Sequence, residues 1–188
     1  MLSRAVQVTY AVLFGAATLI AFTGDKGAAT EAARVERGRY LVTSYGCTDC
    51  HTPKTFGPDG PQEDVKRMLS GHPHDVELPP APTLPAGPWA FTGNDMQTAW
   101  SGPWGTSFTA NLTPDVETGL GSWKEEDFVA TIKTGRHMGR GRPLLPPMPA
   151  PALANLNDED LKSIFAFLRT IPAVKNAVPE PRPPAGAR

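Results

Sequence analysis

Cys47-Thr48-Asp49-Cys50-His51 is the stretch whose reading decides the fold. Two thiols three residues apart, followed at once by an imidazole, match the needs of one porphyrin held by two thioethers. Both sulfurs must reach the same ring, and the next side chain must face its iron. This is the attachment pattern of a haem c, with Cys47 and Cys50 as covalent anchors and His51 as an axial ligand. The sequence has 2 cysteines in all, so nothing is left in it for a second haem motif or a disulfide framework. Other readings of the pair are weaker. Zinc would have to recruit His72, His74 or His137, which follow no zinc-like spacing. A thioredoxin-like dithiol wants a βαβ setting that the flanking residues do not offer. A Cys47–Cys50 disulfide is sterically tight.

Thioether attachment of haem requires export, and the N-terminus carries an address. Met1-Leu2-Ser3-Arg4 is a short basic start, residues 5–22 are uncharged and mostly apolar, and charge returns at Asp25 and Lys26. Gly27-Ala28-Ala29 offers a small-residue cleavage site. Residues 1–29 therefore read as a secretory signal peptide or, being just long enough to span a bilayer, as an N-terminal membrane anchor. Either way the remainder is expected in the periplasm, soluble or tethered to the inner membrane. It divides into a domain over 30–174 and a Pro-rich C-terminal tail over 175–188.

A net charge of −1 without a long basic run argues against nucleic acid as a partner. Proline, at 21 residues, crowds three regions, namely 52–114, 143–151 and the stretch from Pro172 onward, and strand-like alternation is scarce. The expected fold class is all-α, with three main helices around one haem and a long Pro/Gly/Trp-rich loop insertion. The first helix is expected from Glu31 to Ser44, capped by Thr30, with Val35, Gly38, Leu41, Val42 and Tyr45 on one face. The second is expected from Trp123 to Thr134, with Ser122 and Glu125 as a capping box and Gly135 as its stop. The third is expected from Asp158 to Thr170, capped by Asn157 and buried through Leu161, Ile164, Phe165 and Leu168. A shorter helix is expected over Asp95–Trp100.

The ligand opposite His51 decides between electron transfer and open-site chemistry. Met148 is the best candidate, because Leu145-Pro146-Pro147-Met148-Pro149 sets a thioether in a stiff loop poor in N–H groups. Met68 and Met96 read as packing residues, and Met138 and His137 as parts of a surface turn. Lys133, Arg136, Arg140 and Arg142 cluster shortly before this loop and read equally as a positive docking patch or as a solvated turn. In the insertion, Trp89, Trp100 and Trp104 are candidates for a pocket wall or for an N–H donor to a haem propionate, although any single one reads first as an ordinary core aromatic; Trp123 is a further candidate for the wall. Asn111, Thr113 and Asp115 read as a turn.

With these residues in view, the chain resembles a class I, monohaem cytochrome c over about Arg34 to Val174. Arg37-Gly38-Arg39-Tyr40-Leu41-Val42 resembles the family's N-terminal helix, with Gly38 as the small residue touching the C-terminal helix. Residues 161–169 resemble that C-terminal helix, with Phe167 in its aromatic position, and the methionine ligand falls on Met148. A narrower likeness runs through Ala110-Asn111-Leu112-Thr113-Pro114-Asp115, then Thr118-Gly119-Leu120-Gly121 and Trp123. That segment is similar to haem domains of cytochrome c subunits of bacterial alcohol and aldehyde dehydrogenases. The chain departs from those subunits in having one haem motif and a longer insertion between His51 and Asn111. The resemblance implies an electron-transfer protein rather than an independent enzyme. Its single covalent haem c would have His51/Met148 ligation, and its partners would be redox donor and acceptor proteins. The alternatives are a cytochrome subunit of a periplasmic dehydrogenase or of a respiratory or photosynthetic complex, and a haem-based sensor.

Overall fold

The computed structural model describes residues 26–85 and 87–184. Residues 1–25, most of the expected signal or anchor segment, lie outside the described residues. Among the described residues no helix is long and apolar enough to cross a membrane.

The described residues form five α-helices: α1 (Lys26–Ser44), α2 (Cys47–His51), α3 (Glu125–Thr134), α4 (Ala150–Leu153) and α5 (Asp158–Leu168). Helices α1 and α5 cross at Gly38. A Cβ there would overlap the Ser163 backbone carbonyl and lie 2.8 Å from Phe167 Cβ, so only glycine lets the two backbones approach this closely. The crossing is fastened by Arg37, whose Nε and a terminal nitrogen donate to Asp160 at 2.8 and 3.1 Å. That hydrogen bond holds the Asp160 carboxyl below the usual carboxylate range. Arg34, one turn earlier, donates to Glu125 of α3 and to the Lys162 carbonyl. Leu41, Val42, Phe128, Ile132, Leu161, Ile164, Phe165 and Leu168 then form one buried cluster. Full burial of each such side chain contributes roughly 1.5–3 kcal/mol.

The helix termini refine the expectation. Thr30 lies inside α1, which starts at Lys26, and is not its cap. Helix α3 starts at Glu125, with the Asp127 carboxylate accepting from the Lys124 N–H at 3.1 Å. Ser122 therefore lies outside its cap. Asn157 caps α5 as expected, accepting from the Asp160 N–H at 2.7 Å.

The all-α expectation is wrong. Two antiparallel sheets occupy the 52–108 insertion. One pairs β1 (Lys54–Gly57) with β2 (Gly60–Glu63); the other has the order β3 (Thr92–Gly93), β4 (Ala99–Gly102), β5 (Gly105–Phe108). Both hairpins turn on the same signal, Gly57-Pro58-Asp59-Gly60 and Gly102-Pro103-Trp104-Gly105. Proline sets the first turn position, and the closing glycine takes a positive φ, 87° at Gly60 and 91° at Gly105. The strands escape a hydrophobic-alternation reading for two reasons. Strands β1 and β2 have no buried face. In β5 the inward positions are Gly105 and Ser107, small or polar residues that leave no apolar periodicity.

The expected helix over Asp95–Trp100 is also absent. Asn94 Oδ1 accepts from the Thr98 and Ala99 N–H groups at 2.9 Å each, which closes a loop and delivers Ala99 into β4. His72, in a loop of the insertion, is fully buried. Its Nδ1 lies 2.9 Å from Thr98 Oγ1 and its Nε2 3.2 Å from the Val76 carbonyl. Burial lowers its pKa, and it acts as a neutral cross-link inside the insertion.

The tail makes hydrogen bonds to the preceding residues at Asn176 and Arg182. Asn176 is buried and spends its amide fully. Its Nδ2 donates to the Ser70 and His72 carbonyls at 2.7 and 2.9 Å, and its Oδ1 accepts from the His74 N–H at 2.8 Å. Further on, Arg182 exchanges backbone hydrogen bonds with Thr106 of β5, at 2.8 and 2.9 Å.

Candidate functional site

Helix α2 is a single turn that follows Gly46, whose φ of 62° lets the chain swing out of α1. Three residues on a helix share a face, so Cys47 and Cys50 stand side by side, with His51 at the helix end. Burial pushes the Cys47 thiol up to about 11 and raises Cys50 as well. A dithiol built for exchange has a depressed pKa, so this setting speaks against thioredoxin-like chemistry.

His51 is buried, and burial holds its pKa below the usual value. Its Nδ1 lies 2.8 Å from the Ala110 carbonyl oxygen. A carbonyl only accepts, so Nδ1 carries the proton and Nε2 keeps a free lone pair. A neutral imidazole in a fixed tautomer is what a metal ligand requires. The Ala110 carbonyl is itself held. Gly71 N–H donates to the His51 carbonyl at 2.8 Å and His72 N–H to the Thr109 carbonyl at 3.0 Å. Asn111 Nδ2 ties the same loop to the Val174 carbonyl at 2.8 Å. Asn111 and Asp115 make the expected turn contacts, accepting from the Thr113 and Thr118 N–H groups at 3.0 and 2.8 Å.

Cys47, Cys50, His51 and Met148 all line one cavity of about 900 Å³, at the upper end of small-molecule and cofactor pockets. Met148 is half-buried against the main core. Its N–H donates to the Leu145 carbonyl at 3.3 Å, and its carbonyl accepts from Ala150 at 2.8 Å, which joins the loop to α4. The walls come from Leu120, Trp123, Phe128, Ile132, Leu161 and Leu168 on one side, and from Trp100, Ser107 and Phe108 on the other. Trp100 Nε1 is buried without a partner in the protein. A haem carboxylate would satisfy this orphan donor, so the residues present fit such a group.

Several expectations shift here. Trp123 is a wall residue, edge-on to His137 at 5.0 Å between ring centroids. Trp89, 73% exposed, is not a wall. Trp104 packs under Phe91, with ring centroids 5.9 Å apart. His137 is exposed yet borders the cavity. Lys133 does not belong to a free patch: its ammonium donates to the Ala154 and Leu156 carbonyls at 3.3 and 2.6 Å and pairs with Asp158. Sequence reasoning missed the tail, since residues 177–181 border the cavity. The only signal for it was Asn176, a lone amide in a proline-rich stretch.

No family model matches the chain. It is 28% identical over 157 residues to the gluconate 2-dehydrogenase cytochrome c subunit of Pantoea cypripedii, covering 84% of this chain and 27% of the relative. It is 29% identical over 135 residues to the cytochrome c subunit of the quinone alcohol dehydrogenase of Gluconobacter oxydans, covering 72% and 21%. It is 27% identical over 186 residues to the fructose dehydrogenase cytochrome subunit of Gluconobacter japonicus, covering 96% and 31%. The chain thus spans less than a third of the length of these relatives. The likeness to dehydrogenase subunits holds: the chain is similar to cytochrome c subunits of bacterial dehydrogenases.

Proposed function

We propose that this protein is a periplasmic one-electron carrier built around a single haem c. Bound haem supplies a one-electron ferric/ferrous couple. Cys47 and Cys50 would hold it through thioethers, and His51 Nε2 and the Met148 thioether would be its iron ligands. The observation that carries this reading is the convergence of these four side chains on one cavity. With His51 and Met148 as its two protein ligands, the haem would serve electron transfer rather than substrate binding. The thioether and the apolar wall both favour the reduced state and raise the potential. Trp100 Nε1, buried without a protein partner, would be available to donate to a haem carboxylate.

The electron donor we infer is the catalytic subunit of a dehydrogenase, by similarity to the relatives. Residues 1–29 direct the chain across the inner membrane and either leave it or tether it there. Arg142 borders the cavity. The test is a potentiometric titration of the purified protein followed by its visible spectrum. One transition with a one-electron slope is expected. A redox-silent protein that retains zinc, or a two-electron dithiol couple, would overturn the proposal.

A further inference from the structure

The methionine loop is short of internal hydrogen bonds, because Pro146, Pro147 and Pro149 bring no N–H. Something outside the loop has to hold it. Strand β5 does so at one point: Ser107 Oγ donates to the Pro146 carbonyl at 2.7 Å. Ser107 is buried, and its other possible acceptor, the Trp100 carbonyl, is much farther away at 3.4 Å. The strand cannot drift, since Trp100 and Ser107 face each other in the β4–β5 register. Thr106 is meanwhile locked to Arg182 of the tail by two backbone hydrogen bonds. The insertion sheet thus reaches the segment that presents Met148 through one hydroxyl.

We propose that Ser107 is the positioning residue for Met148, and that holding this loop is a function of the 92–108 sheet. This rests on Met148 being an axial ligand. Ser107 does not touch the iron; it sets how readily the thioether leaves. Without the hydroxyl, the Pro146 carbonyl loses the donor that ties it to the sheet, and the loop is free to swing outward. A hydrogen bond of this kind contributes about 0.5–1.5 kcal/mol, equivalent to roughly a 2- to 12-fold change in an equilibrium.

The test uses the haem-loaded protein and free imidazole as a competing ligand for the iron. Imidazole binding is followed by loss of the ferric sulfur-to-iron charge-transfer band. Ser107→Ala should bind imidazole roughly 3- to 10-fold more tightly than the parent, and Ser107→Thr, which keeps the hydroxyl, should bind it like the parent. The denaturation midpoint is measured alongside, because general loosening would move it in proportion. Imidazole affinity unchanged in Ser107→Ala, or raised equally in Ser107→Thr, would overturn the role of Ser107. A parent protein that has no such band, or keeps it in Met148→Ala, would instead overturn the ligand assignment beneath it.

Discussion

Met148→Ala leaves the haem covalently attached, abolishes the sulfur-to-iron charge-transfer band of the ferric protein, and lowers the potential. Attachment depends on Cys47 and Cys50 and not on the methionine loop, so it survives. The potential falls because a thioether is a soft ligand that stabilises ferrous iron. Water or a hydroxide in its place favours the ferric form. Axial ligation spans about 0.8 V across haem proteins, and a drop on the order of 0.1–0.3 V is expected here. The variant should also open the iron to small ligands, seen as a change from low to high spin. Met138→Ala is the control. Met138 sits in a 3-10 turn over His137–Gly139 with a φ of 49°, away from the proline loop, and its loss should change neither band nor potential.

Gly38→Val prevents α1 and α5 from closing and should destabilise the domain by at least about 3 kcal/mol, the upper end of overpacking costs. The neighbours it meets are the Ser163 carbonyl and Phe167 Cβ. Backbone atoms cannot turn aside as a long side chain can, so relief requires the helices to separate. Separation would loosen the Arg37–Asp160 clamp and the cluster around Leu41, Val42, Leu161 and Ile164. A domain of this size has only about 5–15 kcal/mol in total, so the shift in denaturation midpoint should be unmistakable. Gly38→Ala should do the same to a smaller degree. A midpoint unchanged in Gly38→Val would mean that the two backbones do not meet there.

The legible parts of this molecule are those where the side chains themselves carry the chemistry. Cys47, Cys50 and His51 could be read because attachment of one porphyrin dictates their spacing. Helix α5 could be read because its cap and its buried stripe agree. Gly38 was suspicious as a glycine inside a helix, and the helix crossing explains it. The insertion was not legible. Its sheets are built on Gly-Pro-x-Gly turns and on inward glycine and serine, so no apolar alternation marks them. The methionine loop was readable as a stiff segment, but not its anchor, since Ser107 is one ordinary hydroxyl in a strand that was read as loop. The tail was legible only as a Pro-rich stretch, because Asn176 and Arg182 act through main-chain partners that only the fold brings near.

The central claim is that one haem is bound covalently through Cys47 and Cys50. Its most direct test is the mass of the tryptic peptide spanning Tyr40 to Lys54, prepared from protein matured in a host that attaches haem c. A mass increased by one haem, with a pyridine haemochrome spectrum indicating two saturated vinyl groups, is the predicted result. An unmodified peptide with two free thiols, or one with a Cys47–Cys50 disulfide, would contradict the claim.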